Sequence, residues 1–225
     1  MQKINMTKSS QPVRPRNAAS LVIYRKYRNQ YQVLMGRRGR KAKFKPGVYV
    51  FPGGIIERDD YSVRPKKKLA DRHTRMMAVG NSKSRANGLA MGAVREAFEE
   101  VGLLLGEKSG LNSVGNKTWQ HFKQLGIAPN LSALDYLGRA ITPSIQPIRF
   151  HARFFSVNFS EMHGSILGDG ELEDIRWVKL NQSENLNMML VQKMIMDTLA
   201  KRLNGEKAPP QKLFFAWGKI NITDS

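Results

Sequence analysis

One stretch narrows the fold more than any other: AVREAFEEVGLLL, residues 93–105. Val94, Phe98 and Val101 fall at i, i+4 and i+7, the spacing of one buried helical stripe. The helical pattern runs from Leu89 to Val101, and Gly102 follows as a natural C-terminal stop. Glu96, Glu99 and Glu100 are three and four residues apart or adjacent, so they share the opposite face. The chain must therefore bury one side of this helix and keep three carboxylates together on the other.

Three carboxylates this close repel one another, and in isolation one is pushed toward protonation. A divalent cation removes the conflict, and an all-oxygen ligand set suits a hard ion, chiefly Mg²⁺ with Mn²⁺ as substitute. Arg95 sits one turn before Glu99 and can orient it as an i,i+4 pair. The same composition also suits a solvated acidic helix face.

Elsewhere the chain mixes strands and helices. SLVIYRK and YQVLMGRR read as paired strands around the turn YRNQ, and GVYVFPGG reads as a short strand closed by Pro52-Gly53-Gly54. DYLGRAITP, RFHARFFSVNF and EDIRWVKL read as further strands. NKTWQHFKQLG reads as a helix, and residues 184–205 as the longest helix, with Met188, Met189, Met194 and Met196 as core filler. Residues 61–92 are polar and basic with little strand pattern, an inserted excursion with a helical piece near KKLADRHTRMMAVG. Residues 1–17 read as a flexible basic arm, 18–205 as one domain and 206–225 as a C-terminal tail. Without regular βαβ alternation, the class is α/β (α+β) with a mixed sheet.

Charge adds a second constraint. The net charge is +19, and its excess is uneven: residues 1–56 hold 13 basic and no acidic side chains, while 95–225 are nearly balanced. A basic half attracts polyanions, which covers both nucleic acid and phosphorylated small molecules. No run of 18 apolar residues exists, so no membrane partner is expected. The N-terminus lacks the apolar core of a secretory signal, and a cytoplasmic location fits best. Zero cysteines exclude disulfides and thiolate chemistry. His73, His121, His151 and His163 form no metal-ligand spacing.

FPGG, an acidic stretch and REAFEEVGL together resemble the signature of the Nudix hydrolase superfamily. The second half, Arg95 to Leu103, fits throughout. In the first half Asp60 stands where the family carries Glu, with Glu57 as another acidic candidate in the same loop. The gap from Asp60 to Arg95 is 34 residues instead of seven, an insertion of about 27. A box split this way resembles the subgroup of peroxisomal coenzyme A diphosphatases and their bacterial relatives. Pro46-Gly47-Val48-Tyr49-Val50-Phe51-Pro52-Gly53-Gly54 and ITPSIQPIRFHARFF also match that subgroup, with His151 where an aspartate is common.

The resemblance implies a Nudix-type α/β/α sandwich that hydrolyses a diphosphate linkage. Glu96, Glu99 and Glu100 would hold the metal, and Arg95 would orient them. The general base would be Glu171, in the loop before the Trp177 strand, or else Glu100, with Glu173 and Asp169 as lesser options. Gly53 and Gly54 would shape the loop before the helix. Arg37, Arg38 and Lys45 lie just before that loop and are candidates for meeting substrate phosphates, or plain surface charges. The first substrate to expect is coenzyme A or an acyl derivative, with a homodimer compatible. The alternative is a protein directed at RNA, trimming 5′ ends or only binding through its basic half; no RNP-type basic-aromatic pattern supports it.

Overall fold

The computed structural model describes residues 12–42, 44–111, 115–181, 186–216 and 219–225. Residues 1–11 of the expected arm, and Trp217, which reads as packing, lie outside these. In chain order come β1 (Arg16–Tyr27), β2 (Gln30–Arg38), β3 (Tyr49–Val50), β4 (Gly53–Ile55), α1 (Arg58–Ser62), α2 (Asp71–Thr74) and α3 (Lys83–Val101). There follow β5 (Leu103–Leu105), β6 (Glu107–Lys108), α4 (Lys117–Gln124), β7 (Ile127–Ala128), β8 (Asp135–Ile141) and β9 (Phe150–Asn158). The chain closes with β10 (Met162–Gly164), β11 (Leu172–Lys179), α5 (Leu190–Leu203), β12 (Gln211–Ala216) and β13 (Lys219–Asp224).

The β1–β2 hairpin turns on Arg28 and Asn29, both left-handed at φ 44° and 61°, the geometry that matches strand twist in a two-residue loop. The sheet is mixed and runs β11-β2-β1-β9-β8-β12-β13, with β3 on β2 and β4 on β1. β1 lies parallel to β9 and antiparallel to β2 and β4.

Side chains alternate along β1, so each face of the sheet builds its own core. Leu21 and Ile23 pack with Leu89, Val94 and Val101 of α3 and with Trp119 and Phe122 of α4. Val22 faces the other way, onto Phe51, Phe154 and the α5 residues Ile195, Met196 and Leu199. The result is a helix–sheet–helix sandwich, as expected.

Several boundaries differ from the sequence reading. α3 begins at Lys83, capped by the Ser82 hydroxyl, six residues before the apolar pattern sets in. Residues 61–92 are no loose excursion: Val63, Leu69, Met77 and Val79 are buried in the α3 core, and the segment's last ten residues belong to α3. The arm ends earlier than residue 17, because Arg16 and Asn17 already pair with β9. Residues 206–225 hold a hairpin instead of a tail, since β12 adds to β8 in parallel and β13 pairs with β12. The α5 helix starts at Leu190, not 184, and residues 182–185 lie outside the described part. Among the described residues no helix is long and apolar enough to cross a membrane.

Candidate active site

The site forms where β4 meets α3. Pairing Ser20 with Gly53 and Ala19 with Gly54 lays the Pro52-Gly53-Gly54 turn against β1. A side chain at Gly53 would meet the Ala19 carbonyl and the Ser20 Cα, both at 2.5 Å, so only glycine permits this approach. The Gly53 amide then donates to the Glu100 carboxylate at 2.7 Å. This bond ties the glycine turn to the carboxylate helix across 47 positions. At the helix end Gly102 is left-handed, at φ 72°, and stops α3.

Arg95 organises the carboxylates from below. Its guanidinium is buried, 2% exposed, and reaches Asp60 at 2.9 and 3.1 Å, Glu96 at 2.9 Å and Glu99 at 2.7 Å. A fourth acceptor is the Ile55 carbonyl at 2.8 Å. Burial alone lowers the pKa of Arg95, but bonds to Asp60 and the charges of Glu96 and Glu99 outweigh it, and the net direction is up. Asp60 is almost fully buried and also accepts from the Trp119 indole at 3.1 Å and from the Glu57 amide at 2.9 Å. The aspartate in the family's glutamate position thus holds Arg95 directly.

The three helix carboxylates differ in setting. Burial pushes Glu96 up to about 7, opposed by Arg95 and reinforced by Glu99. Burial also pushes Glu100 well up, opposed by the Gly53 amide and reinforced by Glu96 and Glu171. Glu99 is more open and accepts from Arg95 and from the Thr118 hydroxyl. All three line one pocket of about 720 Å³ together with Gly53, Gly54, Glu57, Arg38, Asp169 and Glu171.

Among the described residues no three His, Asp or Glu side chains converge into a closed metal-binding group. The carboxylates are instead turned to Arg95, Thr118 and Gly53. Their chemistry nevertheless fits a hard divalent ion: the donors are all oxygen and partly buried, and at Glu100 burial and the charges of Glu96 and Glu171 outweigh the Gly53 amide and Arg38.

The remaining sequence candidates divide. Arg38 lines the pocket, its Nε donating to the Phe44 carbonyl at 2.9 Å. Arg37 does not line it; alternation on β2 points it to Glu173, with which it forms an ion pair at 3.0 Å. Glu173, too, lies outside the pocket lining, whereas Asp169 and Glu171 are part of it. Lys45 is exposed on a left-handed turn residue, φ 48°, away from the pocket lining. Glu171 sits exposed at the pocket, its amide donating to Asp169 at 2.9 Å. Met194 and Met196 are core, but Met189 lines the pocket.

Sequence reasoning missed Thr118 and the polar role of Trp119. Both come from α4, which was legible as a helix but carried no sign that it docks on α3. Phe44 and Phe150, stacked edge to face at 5.2 Å on the pocket wall, were missed too.

A mixed sheet between two helical layers, with a glycine turn bonded to an Arg-organised carboxylate helix, defines the class. No family model matches the chain. It is 29% identical over 178 residues to nudix hydrolase 7 of Caenorhabditis elegans, covering 73% of this chain and 51% of that protein. It is 27% identical over 180 residues to the acyl-coenzyme A diphosphatase NUDT19 of Xenopus laevis, covering 56% of this chain and 47% of that protein. The chain thus spans about half the length of these curated relatives. The crystal structure of a NUDIX hydrolase from Alicyclobacillus acidocaldarius superposes with a TM-score of 0.67 at 26% identity, covering 83% of this chain and 91% of that one. The chain has a Nudix-type fold and resembles these Nudix hydrolases in sequence.

Proposed function

We propose that this protein is a divalent-metal-dependent diphosphatase that acts on a nucleoside diphosphate-linked small molecule, with coenzyme A or acyl-coenzyme A first. The observation that carries the reading is Arg95, buried and gathering Asp60, Glu96 and Glu99 beside the Gly53–Glu100 bond. A low-identity relationship to an acyl-coenzyme A diphosphatase supports the substrate class.

Glu96, Glu99 and Glu100 would hold the ion, Mg²⁺ or Mn²⁺. When bound, it would neutralise the diphosphate and lower the pKa of water. Arg95 and Thr118 keep the Glu99 carboxylate oriented, and Gly53 does the same for Glu100. Arg38 presents a cation to a phosphate oxygen. Glu171 takes the proton of the attacking water, whose oxygen bonds to phosphorus as the bridging P–O bond breaks. Phe44 and Phe150 offer an apolar wall to the organic part of the substrate.

The test is product analysis of the purified chain with Mg²⁺ and coenzyme A. Phosphopantetheine plus adenosine 3′,5′-bisphosphate from wild type, and neither from Glu99→Gln, supports the reading. Cleavage of ADP-ribose, nucleotide sugars or 5′-triphosphorylated RNA in preference to coenzyme A replaces the substrate while keeping the site.

A further inference from the structure

On the opposite side of β1 and β9 lies a second cleft, of about 730 Å³, that the reaction does not use. Alternation along the two strands separates the cavities. Arg16, Phe150 and Ala152 face the first, and Asn17, His151 and Arg153 face the second. Its charged lining is all cationic: Arg14, Arg85 and Arg153, with His151 and no acidic residue.

Arg153 forms its floor, 2% exposed. Its guanidinium donates to the Met77 carbonyl at 3.2 Å, the Asn17 side-chain oxygen at 2.7 Å and the His151 carbonyl at 2.7 Å. Every acceptor is neutral. Among the described residues no carboxylate lies within ion-pair distance of Arg14, Arg85, Arg139 or Arg153, whereas Arg95, Arg37 and Arg202 are all paired. Arg139 contacts the His151 ring at 3.3 Å, and its own buried Nε has no partner. A buried guanidinium without a counter-charge is costly, and the usual remedy is an anion. Burial first, and then the neighbouring guanidiniums, hold His151 far below its ordinary pKa, down to about 3.

We propose that this cleft binds a small phosphorylated anion at a site separate from the carboxylate pocket. The floor is enclosed, and the lining holds two separate rings, Tyr61 and the His151 imidazole, with no row of aromatic side chains along it, so a short phosphate group fits it better than a nucleic-acid strand, which needs a stacking platform. The placement also accounts for part of the basic excess: Arg14 and Arg85 come from the charge-rich first half, Arg153 and His151 from the balanced second half.

The test is calorimetric titration of the full chain with inorganic pyrophosphate in EDTA at physiological salt, where the metal-dependent pocket is not engaged. The expected result is one saturable site, weakened roughly tenfold by each of Arg14→Ser and Arg85→Ser, which are exposed and leave the fold intact. Arg153→Gln should abolish binding if it folds, but the two rim variants decide without it. A parallel titration with ADP separates a free phosphate from a nucleotide's: tighter ADP binding, still lost in the rim variants, assigns a nucleotide. No saturable heat, equal binding by wild type and rim variants, or an RNA oligonucleotide outcompeting pyrophosphate phosphate for phosphate overturns the proposal.

Discussion

Asp60 is the most informative residue to perturb. It is almost fully buried, receives two bonds from Arg95, and adds bonds from the Trp119 indole and the Glu57 amide. Asp60→Ala strips a partner from a buried guanidinium. Breaking a buried pair this way costs about 3–5 kcal/mol. Arg95 keeps Glu96, Glu99 and the Ile55 carbonyl, so the lower end applies, about 3 kcal/mol. For a chain of this size that lowers Tm by about 6–12 °C. Asp60→Asn keeps the shape and should fall between Asp60→Ala and wild type. Asp60→Glu, the family's residue, should not rescue fully: Gly92 already approaches the carboxylate so closely that a Cβ there would lie 3.0 Å from it. An extra methylene should cost about 1–3 kcal/mol. Differential scanning fluorimetry reads all three. A Tm for Asp60→Ala indistinguishable from wild type would refute the claim that Asp60 anchors Arg95.

Other perturbations separate site from scaffold. Glu99→Gln should abolish hydrolysis with Tm nearly unchanged, because Glu99 is partly exposed; unchanged turnover sinks the metal assignment. Thr118→Val removes the hydroxyl that holds Glu99 and should raise the metal concentration needed for half-maximal rate without loss of fold; an unaltered metal titration would show Thr118 to be packing alone. Gly53→Ala should lose activity and stability together, since its Cβ meets β1 backbone; a fully active variant contradicts the turn geometry. For pH, His151 is held near 3 in the fold against 6.5 ordinarily, so the unfolded chain binds its proton first. Its contribution is full above about 6.5 and is lost as pH falls from 6.5 toward 3. His151→Asn should flatten the Tm profile in that window, and an identical slope in both proteins contradicts the assignment.

Local signals carried far in this sequence. The stripe Val94, Phe98, Val101 and the stop at Gly102 placed the carboxylate helix, and the spacing of Glu96, Glu99 and Glu100 put them together. The turn residues Arg28 and Asn29 and the β-branched runs around them gave the first hairpin. What stayed hidden depends on long-range pairing. Asp60 and Arg95 meet across 35 positions, and Trp119 joins them from a helix 59 residues beyond Asp60. Residues 61–92 read as an excursion because the buried side chains Val63, Leu69, Met77 and Val79 follow no helical or strand period, although α2 (Asp71–Thr74) does fall in the helical piece expected there. Arg37 and Arg38 were equivalent as letters; only strand alternation sends one to Glu173 and the other to the pocket. The C-terminal strands were missed because β13 is an edge with mostly exposed residues and carries little apolar pattern.

The central claim is that the face built by Glu96, Glu99 and Glu100 holds a divalent ion that hydrolysis requires. Mn²⁺ titration followed by electron paramagnetic resonance, on wild type and Glu99→Gln, tests it most directly. Saturable Mn²⁺ binding by wild type, weakened about tenfold or more in Glu99→Gln, is the predicted result. Equal Mn²⁺ binding by the two proteins would place the metal elsewhere and contradict the account.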